Sequence, residues 1–450
     1  MDEINFESTI TDIEKLIESK QAGHLLNILI DLHPADIEDI LNRLKKDDRK
    51  YLFHLLPTEL ASEVLSELDT PLVEQVLEEA SEKSISLLVD QMESDDAADL
   101  LSELPEEIAI KVLDHMAIEG QQDVKELLHY KEDTAGGIMA LEFLSMPETA
   151  TVNETIERIR EVRDDFDDLY NIWVVDENNS LIGSVSLTDL VLAKGYMTLR
   201  EIMDVDIQYV TVDMDQENVA NFFKKYDLIS VPVVNESGKL VGRITVDDIV
   251  DVLEEEGSED ISRLSGAPDE EILEESAFVL SKARLPWLAV AFFGEIAAAM
   301  ILDSFSATLA QKVMAAFFIP IIMAMGGSTG QQASVIVVRG LSTGDISISD
   351  TKSRLFKEFR ISLINSFVFA SLIFLIVYVW DGPVFASILA TSMFIVINNA
   401  AVIGALVPLM FKRFNIDPAL AAAPFVSTSN DIIGLLIYLT ITTLSLKFAL

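Results

Sequence analysis

IWVVDENNSLIGSVSLTDLV at residues 172–191 recurs at 231–250 as VPVVNESGKLVGRITVDDIV, displaced by 59 residues. Trp173 pairs with Pro232, Leu181 with Leu240, Gly183 with Gly242 and Asp189 with Asp248. Each copy holds a β-branched run, a polar turn, a second apolar run and then an apolar stretch at helical spacing. That order predicts a strand, a turn, a strand and a helix opening near Asp189 or Asp248. A duplicated α/β unit therefore occupies the middle of the chain.

Upstream, residues 1–130 read as short amphipathic helices in tandem. HPADIEDILNRL (33–44), LPTELASEVLSEL (56–68), MESDDAADLLSEL (92–104) and LPEEIAIKVLDHM (104–116) share one plan. A cap or turn signal comes first, then acidic residues in the first turn, then apolar positions at helical spacing. No such unit can bury its apolar face alone, so the repetition predicts an all-α solenoid. Asp95 and Asp99 are four apart and share one helix face. Spacing alone leaves them either a solvated acidic face or a pair of ligands.

Downstream of the repeat lies DIVDVLEEEGSEDISRL (248–264), dense in carboxylates and holding a single arginine. A charge run is usually a solvated face. This one joins the soluble half to the first long apolar segment, through EEILEESAFVLSKARLPW (270–287), which reads as a helical connector.

Of the 75 acidic residues, 67 precede Lys282, against 21 of the 32 lysines and arginines. A soluble half with that deficit repels itself unless cations sit among its carboxylates, and it is a poor partner for nucleic acid. The chain has no cysteine and five scattered histidines. Disulfides and thiolate metal sites are excluded, and hard oxygen ligands point to magnesium or calcium. The opening MDEINFEST lacks the basic and apolar regions of a secretory signal. No nucleophile is paired with a base, so no catalysis is expected.

After Lys282, five segments are long and apolar enough to span a bilayer: 285–302, 313–338, 361–379, 384–411 and 420–446. Lys282, Arg284, Arg339, Lys352, Arg354, Lys357, Arg360, Lys412 and Arg413 fall on one side of a five-span arrangement, and Lys312 and Lys447 on the other. The acidic half is thereby expected in the cytosol, with the carboxyl terminus outside. Asp431 lies near the middle of the last span, where a charge is costly unless it meets water or a partner. Ser427, Thr428, Ser429 and Asn430 precede it, which suits a cation site; a contact to a neighbouring helix is the other reading. Glu295 in the first span is open between pairing and a second ion or proton site. GGSTGQQ (326–332) interrupts the second span, either to line a cavity or for close packing, and Asn398 and Asn399 in the fourth are polar in the same way.

Solenoid, duplicated α/β unit, acidic connector and five spans, in that order, resemble the MgtE family of magnesium channels, whose α/β pair is a tandem of CBS modules. DTAGGIMA from Asp133, RLPW from Arg284, DPAL from Asp417 and DIIGLLIY from Asp431 are similar to family motifs. The resemblance implies a solenoid over 1–130, a CBS pair over 131–252, a connector and plug helix over 253–283 and a pore domain over 284–450. It implies a homodimer in the inner or plasma membrane whose pore is lined by the second and fifth spans, with Asp431 facing the axis. Magnesium gives up its water reluctantly, so two carboxylates could hold the hydrated ion through its waters. Asp417 matches an acidic residue at the cytosolic mouth. Asp95 and Asp99 match solenoid ligands, Glu217, Asp227, Asp248 and Asp251 those of the CBS region, and Glu256, Glu259 and Asp260 those of the connector. Cytosolic magnesium bridging them would close the pore; its loss would let the carboxylates repel and open it.

Some residues depart from the family pattern. Ser328 and Gln331 stand where asparagines are usual, and Ala423 precedes Pro424 where a polar or small residue is usual. Asn171 and Thr188 replace an aromatic and a basic residue of nucleotide-binding members, which weakens the expectation that the CBS pair binds ATP or another adenine nucleotide. Glu295 matches no family pore residue. Two other functions stay open: a Na+- or H+-coupled exchanger of divalent cations using Glu295, and a membrane-anchored sensor that moves no ion.

Overall fold

The computed structural model describes residues 3–78, 80–163, 169–265, 277–343, 345–346, 351–414, 416–419 and 424–449. It divides into two compact units, Met1–Leu253 and Glu254–Leu450.

The first unit begins with α1 (Glu3–Glu18), α2 (Ala22–Leu29), α3 (Pro34–Arg43), α4 (Lys46–Phe53), α5 (Thr58–Ser66), α6 (Thr70–Leu77), α7 (Glu82–Val89), α8 (Ser94–Glu103), α9 (Glu106–His115) and α10 (Ile118–Leu127). Most helices stack on the one two places along: α3 on α5, α4 on α6, α5 on α7, α7 on α9 and α8 on α10. That is the expected solenoid. In α3, Pro34 enters at the first turn, Asp36 and Arg43 suit the two ends of the helix dipole, and Ile37, Ile40 and Leu41 are buried.

The duplicated unit forms two three-stranded sheets. One has the order β1 (Ser145–Pro147), β2 (Asn171–Val175), β3 (Leu181–Ser186); the other β4 (Val210–Thr211), β5 (Ser230–Val234), β6 (Leu240–Thr245). In each, the first pair is parallel and the second antiparallel. The flanking helices are α11 (Val152–Glu161), α12 (Leu187–Leu192), α13 (Leu199–Ile202), α14 (Gln216–Tyr226) and α15 (Val246–Ser265). The 59-residue repeat extends to backbone detail. Asn179 and Gly238 hold the same left-handed turn, with φ of 63° and 73°, and the ladder shifts register after Val174 and after Val233. The two turns then bond each other reciprocally: Leu181 N donates to Gly238 O (3.3 Å) and Leu240 N to Asn179 O (3.2 Å). The repeated glycines are packing positions. A Cβ on Gly183 would lie 2.5 Å from Met203 Sδ, and one on Gly242 2.6 Å from Met139 Sδ.

The solenoid core runs on into the second α/β module through Val210, Val231, Ile244 and Ile249, whereas the first module keeps its own core around Ile172, Val174, Val185 and Leu190. DTAGGIMA makes the join: Ala135 N donates to Met214 O (2.6 Å) and Ala140 N to Arg243 O (2.8 Å).

The second unit takes in the end of α15, then α16 (Ala277–Ser304), α17 (Ser306–Gln311), α18 (Met314–Ser342), α19 (Thr351–Asp381), α20 (Pro383–Arg413) and α21 (Pro424–Ala449). Among the described residues five helices are long and apolar enough to cross a membrane, the last over Phe425–Lys447. Residues 420–423 of the expected fifth span, Ala423 among them, and 266–276 of the expected connector lie outside the described residues. α20 packs against α18, α19 and α21, while α16 rests on α21. α18 runs unbroken through 326–332, so the expected interruption is corrected. A helix in a membrane keeps its hydrogen bonds despite glycine; Gly326 and Gly330 serve close approach, whereas a Cβ on Gly327 would meet open space. Asn398 is interhelical glue: Ser362 Oγ donates to its Oδ1 (2.8 Å), and its Nδ2 donates to Ser366 Oγ (2.7 Å).

Candidate functional site

Asp431 stands on α21 two turns in from Pro424. With Ser427 of the same helix and Gly327, Ser328 and Gln331 of α18 it lines a cavity of about 500 Å³. Helical spacing explains the set: 427 and 431 are four apart, and 327, 328 and 331 fall on neighbouring positions of one face. One carboxylate, two hydroxyls and a carboxamide offer hard oxygens to a cation that keeps most of its water. Glu295 lies within electrostatic reach of Asp431. Its helix is held there by close approach, because a Cβ on Gly294 would be 2.1 Å from Thr428 Cγ2. Among the described residues Glu295 has no hydrogen bond or ion pair.

A second group lies where the solenoid meets the α/β pair. Arg243 Nη2 donates to both Glu93 oxygens (2.7 and 3.0 Å), and Ser94 Oγ donates to Glu142 Oε2 (2.7 Å) while accepting from Leu141 N (2.8 Å). Those bonds fix the start of α8 against the α/β pair and press its acidic first turn toward Asp248. Asp95 is only 7% exposed. Burial pushes its carboxyl well above the usual range, and Asp248, Asp96 and Glu93 push it further. Burial, then Asp248, pushes Asp96 up to about 7, although that side chain keeps an exposed face. Burial also pushes Asp248 up to about 6, against the hydrogen bonds its Oδ2 accepts from Thr245 N (2.8 Å) and Oγ1 (2.9 Å). Asp189, the repeat counterpart, likewise accepts from Ser186 Oγ (2.7 Å). Both aspartates therefore open a helix, and Asp248 alone joins a carboxylate cluster.

The other expected ligands are more dispersed. Asp99 is exposed on α8, unlike Asp95. Glu217 sits in the first turn of α14, and Asp227 ends that helix in a left-handed conformation with φ 52°. Asp251 is exposed on α15, and Glu256 is half-buried there. At the end of α15, Arg263 pairs with both Glu259 and Asp417. Asp417 also accepts from Ala419 N (2.7 Å), and Asp260 accepts from Ser342 Oγ (2.7 Å). Burial raises the Asp260 carboxyl, and Asp417 adds to it. Glu259, Asp260 and Asp417 thus meet at one place with Arg263 as their counter-charge. Among the described residues no three His, Asp or Glu side chains converge tightly enough to cage a metal ion.

Sequence reasoning did not single out Asp96, Glu93, Arg243 or Arg263. Arg263 was visible as the lone cation in the acidic run; the Glu93–Arg243 pair spans 150 residues and left no local signal.

Residues 319–441 match a family described as MgtE, divalent cation transporter, 32–133 match the MgtE intracellular N domain, and 135–195 and 199–255 match CBS domains. The chain is 33% identical over 447 residues to the magnesium transporter MgtE of Thermus thermophilus, covering 98% of this chain and 99% of that protein. This chain belongs to the MgtE family. The magnesium transporter MgtE of Bacillus subtilis is 28% identical, with 98% of each chain covered. A crystal structure of the cytosolic domain of the Mg2+ channel MgtE in complex with ATP superposes at TM-score 0.52 and 33% identity, covering 54% of this chain and 99% of that one. The MgtE match thus takes in the solenoid, both CBS modules and the membrane helices that carry Asp431.

Proposed function

We propose that this chain is a magnesium-permeable channel, a homodimer in the inner or plasma membrane, closed when magnesium occupies its cytosolic carboxylates. The observation that carries the reading is Asp431 lining, with Ser328, Gln331 and Ser427, the polar part of an open pocket between two membrane helices. A carboxylate in a span is retained where it meets water or an ion. One Asp431 from each protomer would meet a hydrated ion on the twofold axis, with Ser328, Gln331 and Ser427 bonding its waters. The excess of cationic residues on one side of the five spans supports an acidic half in the cytosol and a carboxyl terminus outside.

Closure follows from electrostatics. Asp95, Asp96 and Asp248 are crowded where α8 meets the CBS pair, and a divalent ion would turn their repulsion into a bridge. Asp99, Glu217, Asp227, Asp251 and Glu256 would bind ions more loosely from the surface, while Glu259, Asp260 and Asp417 would do so at the membrane mouth. ATP or another adenine nucleotide is a weaker expectation for the CBS pair, because Asn171 and Thr188 offer neither stacking nor a counter-charge.

Magnesium uptake into liposomes, wild type against Asp431→Ala, tests the pore. Uptake is expected to fall to background in the variant, and undiminished uptake would remove Asp431 from the path. The position of Glu295 beside Asp431 favours one further reading, exchange coupled to Na+ or H+. In that case magnesium flux follows the imposed sodium or proton gradient and Glu295→Gln abolishes the dependence; a channel responds to the magnesium gradient and voltage alone.

A further inference from the structure

Asn430 precedes the pore aspartate and is 2% exposed, yet neither its Nδ2 nor its Oδ1 has a hydrogen-bond partner among the described residues. A buried amide left unpaired is costly, so packing must hold it in place. A Cβ on Gly330 of α18 would lie 1.8 Å from Asn430 Nδ2. The carboxamide fills the space that any side chain at 330 would need. The same glycine is pressed by α20, where a Cβ on Gly404 would lie 2.1 Å from the Gly330 carbonyl oxygen. Above this contact, Val396 of α20 approaches the Cβ positions of both Gly326 (3.1 Å) and Gly434 (3.3 Å). Three helices therefore meet at near-backbone contact around Gly330, and Asn430 is the wedge between α18 and α21.

The wedge lies behind both walls of the cavity, joined to each through a neighbour in sequence. Ser328 and Gln331 flank Gly330 on α18, and Asp431 follows Asn430 on α21, about 100° further round the helix. A change in how deeply the carboxamide seats would turn or lift α21 and carry the Asp431 carboxylate with it. We propose that Asn430, seated on Gly330, is the positioning residue that sets the gap between Asp431 and the Ser328–Gln331 wall, and with it which hydrated divalent cation passes. This rests on Asp431 lining the pore. Asn430 itself touches no ion; it acts through its neighbour.

The test is uptake of magnesium and of manganese by the full chain in liposomes, for wild type, Gly330→Ala, Asn430→Ala, the double variant and Asp431→Ala. Gly330→Ala evicts the carboxamide and is expected to lower magnesium uptake about tenfold, the scale of coupling between touching residues. Removing the carboxamide as well makes room for the new methyl, so the double variant should recover most of that loss. Asn430→Ala alone should shift the magnesium-to-manganese ratio by about threefold or more, which lost stability alone would not do. A double variant no better than Gly330→Ala, or an unchanged ratio in Asn430→Ala, overturns the proposal. If Gly330→Ala gives no monodisperse protein, the ratio in Asn430→Ala decides. Magnesium uptake that survives Asp431→Ala defeats the pore reading itself; uptake lost there, with the Asn430→Ala ratio unchanged, defeats only the positioning role.

Discussion

Asp95 and Asp99 sit one helical turn apart in sequence and in different surroundings in the fold. Spacing made them equivalent, but Glu93–Arg243 and Ser94–Glu142 tilt α8 so that Asp95 is buried toward Asp248 and Asp99 stays in water. The raised carboxyls of Asp95, Asp96 and Asp248 have a definite pH consequence. Their folded values exceed the unfolded 3.8, so the packed state binds more protons, and stability falls as pH rises. Without magnesium, the contact of α8 with the CBS pair should be fully stable below about pH 4 and progressively lost through about pH 7, tracking the Asp248 and Asp96 values. Hydrogen exchange of the α8 amides at pH 5 and pH 8 reads this directly. Magnesium should flatten the difference, and equal protection at both pH values without the ion would count against the cluster. Arg243→Ala would remove the paired bonds that its guanidinium makes to the half-buried Glu93 carboxylate and should cost about 3 kcal/mol, seen as a lower urea midpoint.

At the scale of elements, periodicity revealed most of what formed. Solenoid helices and repeat strands arise from local patterns of period 3.6 or 2, and the five long helices from continuous apolar runs. Glycine was the ambiguous letter. In 326–332 it suggested a broken helix, whereas the membrane interior preserves α18 and uses the bare backbone for contact with α20 and α21. Gly183 and Gly242 likewise make room for methionine sulfurs. Gly242→Val should therefore overpack the second module and cost about 1–3 kcal/mol, measured as a drop in Tm. Asn398→Ala removes the bonds to Ser362 and Ser366 that tie α20 to α19, leaving those serines only their own-helix carbonyls, and should lower stability by about 0.6–2 kcal/mol in detergent unfolding. Neither change should alter the ratio of magnesium to manganese uptake, since neither residue lines the Asp431 cavity or adjoins one that does.

For the whole molecule, 67 carboxylates against 21 lysines and arginines before Lys282 repel one another unless cations sit among them. Protease protection of the acidic half should rise with millimolar-scale magnesium, and monovalent salt at equal ionic strength should do less, since weak oxygen-ligand sites are involved. The absence of native cysteines offers a clean test of orientation. A cysteine added at the carboxyl terminus should react with an impermeant maleimide on intact cells, and one added at the amino terminus only after lysis. The reverse pattern would overturn the proposed topology.

Composition, periodicity and the 59-residue repeat determined the helices, the duplicated α/β unit and the apolar spans, because each depends on residues within a turn or a strand of one another. They also marked Asp431, since a lone carboxylate in an apolar run is conspicuous in any order. Only the tertiary structure decided which acids are buried, that Arg263 stands among Glu259 and Asp417, that Glu295 lies beside Asp431, and that Asn430 rests on Gly330. Apart from Arg263–Glu259, which is one helical turn, those pairings join residues a hundred or more apart, and their energies come from desolvation and close contact, which exist only once distant segments have packed.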